Sequence, residues 1–129
     1  SYWGVAKAVP RGKSEGLWLR VQVKPDRTVG AHTKLRFRYR LTGTSDMTVQ
    51  MFDATDQDNR HIHLKNLKQD SWQWAILDFT NDAKRNDGGN TPFAAGHKVD
   101  DIFFFVKPMG DREVALFVDE ITLFDAGKL

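Results

Sequence analysis

Residues 35–64 read LRFRYRLTGTSDMTVQMFDATDQDNRHIHL. Leu35, Phe37, Tyr39 and Leu41 alternate with Arg36, Arg38 and Arg40. A period of two sends successive side chains to opposite faces, so this segment is a strand with one apolar and one cationic face. Thr42-Gly43-Thr44-Ser45-Asp46 has the composition of a turn. Met47, Val49 and Met51 then alternate with Thr48, Gln50 and Phe52 in a second strand. Together the two segments predict a hairpin at the centre of the architecture. Leu35, Phe37, Tyr39, Met47, Val49 and Met51 are assigned to the core. Arg36, Arg38, Arg40, Gln50 and Phe52 are assigned to the outside, as are His61 and His63 of the next strand.

The same pattern extends in both directions. Val5, Lys7 and Val9 suggest an opening strand that Pro10 stops. In Leu17 to Val23, the leucines and valines oppose Trp18, Arg20 and Gln22. Asp53 to Arg60 is a polar loop, and Ile62 and Leu64 then alternate with His61, His63 and Lys65. Trp72 to Phe79 is rich in aromatic and branched residues, as strands are. Thr80 to Asp101 is long and polar, a length that signals a functional loop or hidden local structure. Ile102 to Lys107 is nearly all apolar, which predicts a central strand buried on both faces. Val114 to Phe124 closes the chain as a long strand, bent near Asp119-Glu120.

About eight short strands with turns between them, and no amphipathic helix, define an all-β fold. The pattern is that of an antiparallel β-sandwich or barrel, with a two-sheet sandwich expected to bury the apolar faces. The chain has 129 residues, enough for one domain with one core, and residues 1–129 are read as a single sandwich module. A start at Ser1 fits a module excised from a larger protein, or a mature fragment. No apolar run approaches the ~18 residues that span a bilayer. The chain has no cysteine, which excludes disulfides, thiolate nucleophiles and cysteine-based zinc sites. The net charge is +2 and the isoelectric point is near 9.0, a modest bias towards anionic partners.

The order LRFRYRL, VQMFDA, WQWAILDF, a long loop, IFFFV and FVDEITLFD resembles the jelly-roll sandwiches of the galactose-binding-like type. These include many carbohydrate-binding modules of bacterial polysaccharide-degrading enzymes. The similarity covers Leu17 to Asp125, and its most specific piece is Val118-Asp119-Glu120-Ile121 before Leu123. The resemblance implies a noncatalytic sugar-binding module of a larger exported bacterial protein, in the periplasm or outside the cell. Its partners would be a polysaccharide or oligosaccharide and the catalytic domain of the parent protein. The alternative is a structural sandwich that packs on that catalytic domain and holds no ligand.

Four groups of residues are candidates for a site. Arg36, Arg38 and Arg40 form one basic row, and His61, His63 and Lys65 another. In one sheet the two rows would suit an acidic polysaccharide, because guanidinium groups bind carboxylates and sulfates through paired hydrogen bonds. Trp72, Trp74 and Phe52 are candidate platforms for sugar rings, whose C–H faces pack on aromatic rings. Tryptophans like Trp72 and Trp74 more often fill a sandwich core, whereas Phe52 shares a strand face with Thr48 and Gln50. Phe37, Tyr39, Phe79, Phe104 and Phe117 are assigned to the core.

Asp53, Asp56 and Asp58 crowd one loop with the hard oxygen ligands calcium prefers, although the spacing is not that of an EF-hand. Asp and Asn also favour turns for purely local reasons. The resemblance adds Asp119, since similar modules hold structural calcium near the closing strand. His61 and His63 lack a third ligand for a transition metal.

No nucleophile elbow, zincin motif or phosphate loop occurs, and no catalytic residue is assigned. Nucleic acid is the least favoured partner, because no basic loop is interleaved with exposed aromatics.

Overall fold

The computed structural model describes residues 6–8, 17–85, 95–107 and 113–126. Within them the chain forms β1 (Ala6–Ala8), β2 (Leu17–Thr28), β3 (Thr33–Thr42), β4 (Met47–Asp53), β5 (Asp58–Leu64) and β6 (Gln73–Asp78). One helical turn, α1 (Phe79–Asp82), precedes β7 (Lys84–Arg85), β8 (Lys98–Val106) and β9 (Ala115–Asp125). Val5, Val9 and Pro10 of the expected opening strand lie outside the described residues, as do residues 86–94 of the long loop.

Two antiparallel sheets result. One has four strands in the order β1-β9-β3-β6, and the other has five in the order β2-β8-β4-β5-β7. The all-β sandwich expected from the alternation is therefore the observed fold. Leu35, Phe37, Tyr39 and Leu41 of the first sheet meet Met47, Val49 and Met51 of the second across the core, all of them buried. The rings of Phe37 and Phe104 pack edge to face between the sheets, with centroids 5.0 Å apart. Such a pair adds about 0.5–1.5 kcal/mol beyond the burial of its surface.

The expected central hairpin is corrected. β3 pairs with β6 and β9, whereas β4 pairs with β5 and β8, so residues 43–46 carry the chain from one sheet to the other. The physical reason is that alternation reports which face of a strand is apolar, not which strand lies beside it. Two strands with matching apolar faces satisfy the pattern equally well side by side or across a core. Gly43 makes the crossing with φ +80°, and a Cβ there would overlap the backbone carbonyl of Glu113. Only glycine meets both conditions without strain.

Two further expectations resolve at the level of single strands. β9 is bent where expected. Glu120 has φ +49°, and the β3–β9 register shifts between Arg36 and Arg38, which is a β-bulge. β8 is central, as expected, but not buried on both faces. Ile102, Phe104 and Val106 enter the core, while Phe103 and Phe105 are half-buried on the outer face.

Candidate functional site

The separation of β3 from β4 divides the expected site residues. Gln50, Phe52, His61 and His63 lie on the outer face of the five-stranded sheet. Arg36, Arg38, Arg40, Trp72 and Trp74 lie with the other sheet. The two basic rows therefore do not form one surface. Trp72 and Trp74 are 38% and 53% exposed, so the core assignment common for such rings does not apply to them. Phe117 is also moved from the core. It is half-buried, with its ring edge-on to Trp72 at 6.1 Å.

On the five-stranded sheet the strand register builds rows of side chains. One row runs Trp18, Phe105, Thr48, His63. The next runs Arg20, Phe103, Gln50, His61. Phe103 and Phe105 are stacked at 5.9 Å, with an angle of 19° between rings, and Trp18 lies 6.2 Å from Phe103. Trp18 is 57% exposed, so this aromatic strip reaches solvent. Arg20 is fixed over it by two hydrogen bonds donated to the Asp101 carboxylate, at 2.8 and 3.1 Å. A bidentate pair of this kind holds its geometry well.

Beside the strip the polar groups converge. The hydroxyl of Thr48 and Nδ1 of His63 share a hydrogen bond of 2.6 Å, and the two histidine rings are 4.6 Å apart. Burial lowers the pKa of His63 from its ordinary value, and the neighbouring His61, Lys107 and Lys65 lower it further. A neutral imidazole offers one donor and one acceptor, which suits a sugar hydroxyl that also does both. Thr48 and His63 line an open groove of about 490 Å³, walled also by Gln50, Lys65, Phe105 and Lys107 among others. An apolar strip beside convergent polar groups is the general form of a small-ligand site.

Trp18, Phe103 and Phe105 were not among the residues expected to bind. A signal for Trp18 exists, since it shares a strand face with Arg20 and Gln22, opposite the leucines. Phe103 and Phe105 carry none, because in a continuous apolar run neither face is marked as outer.

The acidic residues expected to hold calcium, in the loop and separately at Asp119, are paired with arginines. Asp53, Asp56 and Asp58 surround the guanidinium of Arg60, with oxygens at 3.5, 2.8 and 3.3 Å. Arg60 is 1% exposed and Asp53 is fully buried. Asp53 also accepts hydrogen bonds from the backbone N–H groups of Thr55 and Asp56, and its second oxygen is 2.7 Å from Nδ1 of His97. Asp119 belongs to the other sheet and binds Arg38 at 2.6 and 2.8 Å. These donors do not fit a divalent cation, since a guanidinium already sits among the loop carboxylates. No group of three or more His, Cys, Asp or Glu among the described residues is arranged to hold a metal ion. The parity of β5 carries a signal for Arg60, because it shares the inward face of Ile62.

No protein-family model matches the sequence, and no curated protein matches it. Solved structures do match. The family 11 carbohydrate-binding module of a cellulosomal cellulase of Clostridium thermocellum superposes with a TM-score of 0.59 at 14% identity, over 95% of this chain and 82% of that one. This chain shares its β-sandwich fold with that module. The same module in complex with a β-1,3-1,4-mixed-linked tetrasaccharide gives 0.58 at 15% identity, over 95% and 83% of the two chains. An exo-β-agarase gives 0.60 at 11% identity, over 92% of this chain but only 20% of the agarase. No helix among the described residues is long and apolar enough to cross a membrane.

Proposed function

We propose that this chain is a noncatalytic carbohydrate-binding module whose sugar site is the outer face of the five-stranded sheet. The observation that carries this reading is the groove in which Phe105 lies beside Gln50 and His63, continued on the same sheet face by Trp18, Phe103 and His61. Sugar rings lay their C–H faces on such rings, while their hydroxyls reach the amide and imidazoles. The fold neighbours support the class of ligand, since one was solved with a mixed-linked glucan fragment and another is part of an agarase. Asp101, on the same sheet face, is paired with Arg20. The preference for acidic sugars expected from the arginines does not attach to this groove, because those arginines lie on the other sheet. The groove is assigned to neutral glycans for its aromatic ring, amide and imidazole, with Lys65 and Lys107 as the cations of its wall.

A module of this kind works as part of a larger protein that meets polysaccharide outside the cell, because such polymers do not cross membranes. It would hold the parent's catalytic domain near its substrate and so raise the effective concentration. Affinity electrophoresis through gels containing mixed-linked β-glucan, agarose or other neutral polysaccharides tests the assignment. Retardation by at least one of them, abolished in Phe105→Ala and Gln50→Ala, is expected. Unretarded migration in every neutral gel overturns it.

A further inference from the structure

The opposite face of the sandwich combines exposed aromatic rings with arginine in a different way. Trp74 and Ile76 are 53% and 58% exposed, and Trp72 is 38% exposed. β3 runs beside them, with Arg36 registered against Ile76 and Arg38 against Trp74. The guanidinium of Arg36 lies 5.2 Å from the Trp74 ring centre, and that of Arg38 lies 4.5 Å from Trp72. Arg38 is neutralised by Asp119. Arg36 and Arg40 differ from it, since among the described residues no carboxylate lies within ion-pair distance of either.

A guanidinium held over an indole by its charge still carries its N–H donors. It keeps the fork that binds a carboxylate through two parallel hydrogen bonds. Arg36 therefore presents an exposed cation, with no ion pair among the described residues, at the edge of an apolar surface. Arg40 presents a second cation four residues along the same strand, about 13 Å away. A protein domain docked here would have to bring its own carboxylates to both cations, since burying either one unpaired carries a large desolvation cost. A hydrated polymer with anionic groups and apolar ring faces satisfies both features together.

We infer that the outer face of the four-stranded sheet is a second glycan-binding face, for polysaccharides bearing carboxylates, with Arg36 and Arg40 holding the carboxylates and Trp74 and Ile76 carrying the sugar rings. None of these residues lines the groove of the other sheet, so the two sites stand or fall separately. With both occupied, one module would bridge two polysaccharide chains.

Isothermal titration with polygalacturonate, and with the same polymer after reduction of its carboxyl groups, tests the inference. The carboxylated polymer is expected to bind, and its affinity to fall as salt rises. The reduced polymer should bind at this face about tenfold more weakly or worse. The double variant R36Q/R40Q and the single variant W74A should each lose about tenfold or more, while retaining the unfolding midpoint of the parent protein. All three positions are on the surface, so folding is not at stake. Equal affinity for the two polymers overturns the inference. So does absence of binding, or polygalacturonate binding that survives these variants and is lost in K65Q/K107Q, which would place the acidic chain in the groove. Tighter binding of single-stranded DNA than of polygalacturonate at the same salt would assign the face to nucleic acid and also overturn it.

Discussion

Arg60 and its three aspartates show what a single buried residue does for this sandwich. The guanidinium holds the loop between β4 and β5 closed, and Asp53 ties that loop to His97 ahead of β8. Replacing Arg60 by Leu leaves Asp53 buried without its cation. The expected loss is about 3–5 kcal/mol, read from urea unfolding. Asp56→Asn should cost far less, because Asp56 is partly exposed. A second prediction concerns His63, whose folded pKa lies below the usual 6.5. Between that lowered value and 6.5 the unfolded chain binds the proton more readily than the folded one. Stability contributed by the neutral ring is therefore complete above 6.5 and is lost as the pH falls through the window. Protonation also turns Nδ1 into an obligatory donor towards Thr48. Glycan affinity in the groove should be flat above neutrality and fall on acidification. Titration by NMR and binding measured across pH check this, and His63→Gln should flatten the profile.

β8 shows how one strand divides its side chains between folding and binding. Phe104 is fully buried against Phe37, so Phe104→Ala should cost about 3–5 kcal/mol through lost burial and a cavity. Phe105 sits one residue away on the opposite face. Phe105→Ala should cost about 1 kcal/mol or less in stability, yet weaken glycan binding by about tenfold or more. Thermal unfolding beside titration with the glycan separates the two effects. A large stability loss in Phe105→Ala would mean that the ring serves the core instead. The run Ile102-Phe103-Phe104-Phe105-Val106 marks a central strand clearly. It hides which rings face out, because side chains of one chemical type leave no contrast between faces.

At the scale of the whole molecule, the crossing at Gly43 decides which surfaces exist. It places β3 and β4 in different sheets, so the arginines and the histidines look out from opposite sides. Gly43→Ala must place a Cβ on the carbonyl of Glu113 at positive φ. We expect a loss of about 1–3 kcal/mol, measured by denaturant unfolding, with glycan affinity unchanged in the folded fraction. The amino-acid sequence alone determined the strand segments, the apolar faces of β3, β4 and β9, and the all-β class. Each of these follows from side chains one and two residues apart. The individual outward positions of Gln50, Phe52, His61 and His63 were legible for the same reason. Only the tertiary structure decided that β3 and β4 face each other across the core, that Arg60 takes the loop carboxylates, and that Trp18 meets Phe103. Those outcomes depend on backbone hydrogen bonds between distant strands. Such bonds are chemically alike for every residue, so the order of side chains along the chain does not name the partner.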